Sequence, residues 1–178
     1  GGHTAAYGCV GRPGRGARGP GLHSGLFAGA GLDAVEVCLG VDPAAAGEVP
    51  EAGRTLGLSG VNLTVRFKEA VVPHLDALRD AAQAAGGVNT LFWDGDRQVG
   101  DNTDGTGLLD AAHEAGARLD APAVVLGAGG TARAVSAPLT LKHSIQSLSS
   151  MPARLASISE SHTIGPPRLR VSISRLSL

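Results

Sequence analysis

The chain has 178 residues, 43% of them hydrophobic, which is enough to bury the core of one domain and part of a second. Its formal net charge of −1 argues against binding to nucleic acid or to an anionic membrane, and no apolar run is long enough to span a bilayer. Cys9 and Cys38 lie far apart without metal-ligand spacing, and the first residues lack a signal-peptide pattern. We therefore expect a cytoplasmic protein with reduced thiols and no metal.

The N-terminal third predicts strands and helices in alternation. The predicted strands are residues 5–11, 34–41 and 59–65, which are apolar runs or alternate apolar with polar positions. Between these strands, the apolar spacing over residues 22–32 predicts a short helix that Gly31 would stop. Residues 43–58 form a helix-like stretch that Pro50 interrupts.

From Phe67 onward the helical pattern dominates. Apolar spacing predicts a helix over 67–78, and a further helical stretch ends at the glycine pair 86–87. Asp94-Gly95 predicts a hairpin turn, and a helix follows over 103–119. The apolar face of that helix comprises Leu108, Leu109, Ala112 and Ala115. This alternation favours an α/β fold with a largely parallel sheet.

After about Pro138 the chain becomes rich in serine, and no clean helical or strand period emerges. Two interpretations stay open: a variable or disordered tail, and a reading-frame change near Ala137. Translation of the parent DNA in the other two frames distinguishes them.

A strand-to-helix junction at residues 62–68 carries the first candidate residues. Side chains at such junctions project beyond the carboxyl ends of parallel strands, where α/β folds bind ligands. Thr64 offers a hydroxyl and Lys68 an ammonium suited to proton transfer. The alternative for Lys68 is an ordinary solvated lysine in a first helical turn.

Two polar residues follow in similar settings. Asn89 comes after a glycine pair and could contact a polyhydroxylated ligand, or it could simply cap a turn. Asp104 lies where the hairpin gives way to a helix, so it is either a helix N-cap or a carboxylate that faces Lys68.

A glycine turn lies between a predicted strand and helix at residues 121–135. Gly127, Ala128, Gly129, Gly130 and Thr131 form the turn, and Ala132 takes the place of the third glycine of a dinucleotide fingerprint. Such glycines allow the backbone to approach a pyrophosphate at the helix N-terminus.

These four segments, in this order, resemble the shikimate dehydrogenase family over about residues 7–135. The family pattern is N-x-T-x-P-x-K, then G-x-V-N-T, N-T-D-G and G-A-G-G-x-x-R-A. The resemblance implies a three-layer α/β substrate-binding domain over 1–104, followed over 105–137 by a connecting helix and the first βα unit of a truncated Rossmann-like NAD(P)-binding domain. It assigns 138–178 to a divergent tail.

The resemblance also implies NADPH-dependent reduction of 3-dehydroshikimate to shikimate, in aromatic amino acid biosynthesis. Lys68 and Asp104 match the catalytic residues, and both contact substrate together with Thr64 and Asn89. Residues 127–131 match the phosphate-binding turn, and Asp80 matches an acidic position near the cofactor. The partner is a small molecule, and a homodimer is left open.

Three departures from the family pattern bear on activity. Ala17 and Gly19 stand where the family has a serine pair that grips the substrate carboxylate, and Arg66 replaces a proline. The second half of the cofactor domain is not recognisable. A catalytically inactive member that at most binds shikimate is therefore the alternative, and preferences for NADP over NAD and for shikimate over quinate stay open.

Overall fold

The computed structural model describes residues 3–11, 19–117, 125, 130–142, 158–164 and 171–176. The chain divides into two compact units, Gly1–Asn102 and Thr103–Leu178. The strands of the first unit are β1 (Ala5–Gly11), β2 (Ala34–Gly40), β3 (Gly60–Leu63), β4 (Ala77–Leu78), β5 (Thr90–Asp94) and β6 (Arg97–Asp101). Its helices are α1 (Gly19–Gly29), α2 (Val49–Thr55), α3 (Phe67–Ala70) and α4 (Asp80–Ala85), with 3-10 turns at Pro43–Glu48 and Val72–His74.

The six strands described in the first unit form one mixed sheet in the order β2-β1-β3-β5-β6-β4. β1 pairs in parallel with both β2 and β3, and β4 pairs in parallel with β6. β3 and β5 are antiparallel, and so are β5 and β6, which a tight turn at Gly95 joins directly. The predicted α/β class and the hairpin are confirmed, and the sheet is parallel in its β2-β1-β3 half and again between β6 and β4.

The main hydrophobic core lies on one face of this sheet. Val10 of β1 is in register with Leu63 of β3, so both side chains point to the same face, and Phe67 and Val71 pack against them. The buried cluster comprises Val10, Ala46, Val49, Val61, Leu63, Phe67, Val71, Ala82, Val88 and Leu91. Phe67 is 1% exposed, and its burial fixes the start of α3 directly after β3.

The opposite face carries a second layer of helix. Tyr7 and Cys9 of β1 point to this face with their register partners, Glu36 of β2 for Tyr7 and Asn62 of β3 for Cys9. α1 packs there, since the ring of Phe27 lies 5.0 Å from that of Tyr7. Helical elements therefore cover both faces of the β1–β3 region, as the expected three-layer arrangement requires.

The predicted helix over 67–78 is wrong beyond its first turn. α3 ends at Ala70, Pro73 lies in the following 3-10 turn, and Leu75 is extended. Ala77 and Leu78 then form β4, which pairs with Val99 and Gly100 of β6. The local helical spacing is overridden because pairing with β6 satisfies backbone groups that a helix containing Pro73 would leave open.

The helix-like stretch over 43–58 divides next to Pro50, as expected. A 3-10 helix ends at Glu48, and Pro50 lies in the first turn of α2, where its missing N–H costs nothing. The predicted C-cap is confirmed: Gly86 ends α4 in the left-handed conformation, with φ of 62°.

The second unit contains α5 (Asp104–Glu114), α6 (Gly130–Lys142), β7 (Ile158–Ile164) and β8 (Val171–Leu176). Leu109 and Val135 pack together with Leu108 and Val125. Gly105 and Ala112 are buried on α5, whereas the predicted face residue Ala115 is exposed. None of the helices in the described ranges is long and apolar enough to cross a membrane.

The tail differs from the expectation of no regular structure. α6 continues to Lys142, and β7 pairs with β8 in an antiparallel hairpin. Serine alternates with Val171 and Ile173 at the start of β8, which is a period of two. So short an alternation is a weak strand signal in a serine-rich segment. The segment forms a strand because β7 lies beside it as a pairing partner.

Candidate functional site

The junction between β3 and α3 is built around Thr64. Its backbone N–H and its hydroxyl both donate to the carbonyl of Val10, at 3.1 and 3.0 Å, which ties the ends of β1 and β3 together. The N–H of Phe67 then donates to the carbonyl of Thr64 at 2.8 Å and turns the chain into α3. Since the hydroxyl proton of Thr64 points to Val10, its oxygen can accept a hydrogen bond from a ligand hydroxyl.

The backbone of Lys68 is held by the G-x-V-N-T segment, which carries Asn89. The N–H of Val88 donates to the carbonyl of Lys68 at 2.7 Å, and a Cβ placed on Gly87 would lie 3.4 Å from that oxygen. The N–H of Leu63 donates to the carbonyl of Asn89 at 2.8 Å. The segments that carry Thr64, Lys68 and Asn89 therefore contact one another, and Lys68 is half-buried among them.

Asn102 joins the N-T-D-G segment to the segments that carry Thr64, Lys68 and Asn89. Its side chain is buried and donates to the carbonyl of Gly87 at 2.8 Å, while the N–H of Asn89 donates to the carbonyl of Asp101 at 3.0 Å. The side-chain oxygen of Asn89 accepts from the hydroxyl of Thr90 at 2.9 Å. Three of the four predicted motifs thus meet at one end of the first unit.

Asp104 opens α5 in the second unit. Thr103 is the N-cap residue, so the alternative of Asp104 as N-cap is wrong by one position. A carboxylate in the first turn stabilises the helix dipole. The pairing of Asp104 with Lys68 stays a prediction.

The cofactor residues are only partly described. Gly127, Ala128 and Gly129 lie outside the described residues, whereas Gly130 and Thr131 are the first two residues of α6. Asp80 is exposed in the first turn of α4. The helix that the glycine turn predicts is present, and the cofactor roles stay predictions.

A polar cluster that the motifs did not predict lies between α1 and the sheet. Oε1 of Glu36 accepts from the side-chain amide of Asn62 at 2.6 Å, and Oε2 lies 2.9 Å from Nδ1 of His23. The N–H of Glu36 donates to the hydroxyl of Ser24 at 3.1 Å. Nδ1 of His23 also lies 3.1 Å from the amide nitrogen of Asn62, so this atom either donates to Glu36 or accepts from Asn62, according to the tautomer.

Glu36 is the charged residue of this cluster and is only 4% exposed. The signal for it in the sequence is faint: a single carboxylate between Val35 and Val37 in a strand. A charge is almost never buried without partners, but the sequence does not show which residues those are.

The two cysteines are brought together by the parallel register. Cys9 of β1 is the partner of Cys38 of β2, and both thiols are free. Burial raises the pKa of Cys9 to about 11, with further contributions from the nearby charge of Glu36 and from Cys38. Cys9 is therefore a protonated thiol at neutral pH, while Cys38 is exposed.

An apolar cavity lies in another part of the described first unit. It has a volume of about 350 Å³ and lies against the core face of β1 and β2, beside α2. Its lining is apolar except at Glu48, with Leu39, Val49 and Leu58 among the contributors. It lacks the convergent polar groups that recognise a small polar substrate.

Residues 9–91 match a family model described as the shikimate dehydrogenase substrate binding domain. A shikimate dehydrogenase (NADP(+)) of Oleidesulfovibrio alaskensis is 43% identical over 136 residues, which cover 76% of this chain and 48% of that protein. The chain thus spans about half the length of the curated relatives it matches.

Solved structures show the same similarity. A shikimate 5-dehydrogenase from Listeria monocytogenes, in complex with shikimate and NAD, has 33% identity and a TM-score of 0.76, covering 83% of this chain and 52% of that one. A 5-ketofructose reductase of a Gluconobacter strain has 27% identity and a TM-score of 0.74, covering 83% and 54%.

Proposed function

The chain belongs to the shikimate dehydrogenase family, and from this premise we propose that it carries the substrate-binding part and the opening of the cofactor-binding part of an NADP-dependent shikimate dehydrogenase. The proposed reaction is the reduction of 3-dehydroshikimate to shikimate. The observation that carries the proposal is the hydrogen-bonded convergence of the segments bearing Thr64, Lys68 and Asn89 at the carboxyl ends of β1 and β3.

Lys68 is the proposed proton donor. Reduction of a ring ketone places negative charge on its oxygen, and an ammonium beside that oxygen both stabilises the charge and supplies the proton. The carbonyl of Lys68 is fixed by Val88, so its side chain leaves a backbone that is already ordered. Asp104 is proposed to hold the reacting hydroxyl.

Thr64 and Asn89 are proposed to orient the substrate. The hydroxyl oxygen of Thr64 is available as an acceptor because its proton goes to Val10. The amide of Asn89 can donate to a ligand hydroxyl or carboxylate, with its oxygen taken by Thr90. Ordered partners of this kind reduce the entropy lost when the ring is positioned for reaction.

The described part of the cofactor segment suits a dinucleotide phosphate. α6 is a 13-residue helix whose first residue is Gly130, and such a terminus favours negative charge. Gly130 and Thr131 would hold the pyrophosphate with residues 127–129, and Asp80 is proposed to lie near the cofactor. When bound, NADPH supplies the hydride.

The test is shikimate-dependent reduction of NADP by the purified chain, compared with Lys68→Ala. The expected loss is about 10²–10⁴-fold, typical of removing a general acid. Lys142→Ala is the matched control, since Lys142 is the other lysine of the chain. An unchanged rate in Lys68→Ala contradicts the assigned role.

The alternative is a non-catalytic member that binds shikimate. No turnover with NADP or NAD, combined with shikimate binding by calorimetry, supports this alternative. The name of the Gluconobacter neighbour adds an uncharged keto sugar as a second substrate class to be assayed in the same way.

A homodimer and a cytoplasmic location complete the proposal. β2 is an edge strand, and its Val35 and Val37 are 39% and 43% exposed, which offers an apolar edge to a second copy. The two free thiols suit a reducing compartment. Light scattering of the purified chain tests the dimer, and fractionation of the source cells tests the location.

A further inference from the structure

We propose that Cys9 and Cys38 form a reversible disulfide when the chain meets a hydroperoxide, which makes this cysteine pair an oxidation site of the first unit. Cys38 is the thiol that the oxidant attacks, and Cys9 is the thiol that closes the disulfide. The inference is independent of the proposed function, because it concerns only these two side chains and their places in the sheet.

The first observation is that the sheet sets the two cysteines side by side. Cys9 of β1 is the register partner of Cys38 of β2, and the side chains of register partners lie on the same face of the sheet. Neighbouring strands lie about 4.7–4.9 Å apart, which falls within the range of about 4.4–6.8 Å between the Cα atoms of disulfide-bonded cysteines. A side-chain hydrogen bond joins Cys38 to Cys9. The backbone therefore already holds the two thiols within bonding reach.

The second observation is that the two thiols differ in access to solvent. Cys38 is exposed, whereas Cys9 is only 7% exposed. Oxidation of a thiol requires direct contact between its sulfur and the oxidant, so a dissolved peroxide meets Cys38 first. Cys9 is shielded from the solvent but lies beside Cys38. One thiol is thus placed to be oxidised and the other to react with the oxidised product.

The third observation is that the chain has two cysteines in all, so a disulfide within one chain can join only Cys9 to Cys38. Without a second thiol nearby, an oxidised Cys38 would remain a sulfenic acid, oxidise further or link to another chain. The neighbouring Cys9 offers a faster outcome, because two groups held together by the fold do not have to meet by diffusion.

The chemistry takes place in two balanced steps. The thiolate of Cys38 attacks one oxygen of the hydroperoxide and the O–O bond breaks, which leaves a sulfenic acid on Cys38 and releases water or an alcohol. The thiolate of Cys9 then attacks the sulfur of Cys38. The S–S bond forms, the S–O bond breaks, and the hydroxide leaves as water with the proton that Cys9 gave up. The two thiols lose two electrons and the peroxide gains them.

The disulfide is reversible because Cys38 lies at the surface. A dissolved thiol can attack its sulfur, which breaks the S–S bond and releases Cys9, and a second thiol then releases Cys38.

The test treats the wild-type chain, Cys9→Ser and Cys38→Ser with excess hydrogen peroxide at about pH 8, near the ordinary pKa of a thiol. Peptide mass spectrometry without reductant locates the oxidation, and trypsin separates the two cysteines because Arg15 and Arg18 lie between them. Dimedone, which captures sulfenic acids, is added to the two variants. These variants are matched controls, since each keeps one thiol of the pair.

We expect the wild type to lose two hydrogen atoms, to yield one crosslinked peptide that contains Cys9 and Cys38, and to regain both thiols with dithiothreitol. Cys9→Ser should carry dimedone on Cys38, and Cys38→Ser should be oxidised about tenfold more slowly because burial shields Cys9. A wild type that stays reduced, that accumulates sulfinic or sulfonic acid on Cys38 without the crosslink, or that links two chains through Cys38 overturns the inference. None of these results requires a variant to fold.

Discussion

The side-chain amide of Asn62 on β3 lies 2.6 Å from the carboxylate of Glu36 on β2, across the intervening strand β1. His23 of α1 contacts the same two side chains, at 2.9 Å from Glu36 and 3.1 Å from Asn62. One buried carboxylate therefore links two strands and the helix that covers them. Its hydrogen bonds contribute to the stability of the fold.

Removing the amide of Asn62 should destabilise the fold in two distinguishable ways. Asn62→Ala leaves Oε1 of Glu36 without its donor, which costs about 1.5–3 kcal/mol. Asn62→Asp places a second carboxylate there and should cost more, about 3–5 kcal/mol at pH 7. Lowering the pH should restore part of the loss in Asn62→Asp only, because protonation removes the repulsion. Urea unfolding at pH 5 and pH 7 measures both, and equal losses at both pH values would argue against a charged Glu36.

Replacement of two helical glycines by alanine should change the stability of the fold in opposite directions. A Cβ on Gly53 of α2 would lie 2.9 Å from Cη2 of Trp93, a rigid ring, so Gly53→Ala should destabilise by about 1–3 kcal/mol. Gly25 of α1 has nothing within 4 Å, so Gly25→Ala should stabilise by about 0.5–1 kcal/mol through helix propensity. Thermal unfolding of the two variants decides the matter, and a stabilised Gly53→Ala contradicts the packing of Trp93.

The left-handed conformation of Gly86 should be costly to any residue with a Cβ. With φ of 62°, Gly86→Ala should lose about 1 kcal/mol of unfolding free energy. Gly86→Asn should lose less, since asparagine tolerates this region. Chemical denaturation of both variants provides the comparison, and the same loss in each would point to crowding instead of backbone strain.

The two cysteines should differ sharply in reactivity. Cys38 is exposed, whereas Cys9 is buried with its pKa raised to about 11, so iodoacetamide at pH 8 should label Cys38 and leave Cys9 unmodified in the folded chain. Peptide mass spectrometry locates the label, and Cys38→Ser serves as the control. Rapid labelling of Cys9 in that variant contradicts its burial.

The raised pKa of Cys9 also makes the unfolding free energy depend on pH. Its folded-state value is about 11 against an ordinary 9.0, so between these values the unfolded chain gives up the proton while the folded chain keeps it. The contribution is fully present below the unfolded value and is lost as the pH rises to the folded one. The unfolding free energy of the wild type should therefore fall more steeply than that of Cys9→Ala across this window, as measured by urea unfolding at several pH values.

The candidate site was partly visible in the sequence because its motifs are local. The stretch from Asn62 to Lys68 is a strand end and a first helical turn, and two glycines predict the turn before Asn89. What the motifs could not reveal is that Val88 bonds to Lys68 and that Asn102 bonds to Gly87. Those contacts depend on how the hairpin of β5 and β6 lies beside β3.

The amino-acid sequence by itself determined the elements whose pattern is complete within a few residues: β1, β2, β3, the Gly95 hairpin, the Gly86 cap and the core of α5. The tertiary structure alone decided that Leu78 joins a strand, that Cys9 lies beside Cys38, and that Glu36 is buried against Asn62 and His23. The physical reason is the separation along the sequence over which each kind of interaction acts. Periodicity and capping act between near neighbours, whereas strand register and helix packing join residues that no local pattern relates.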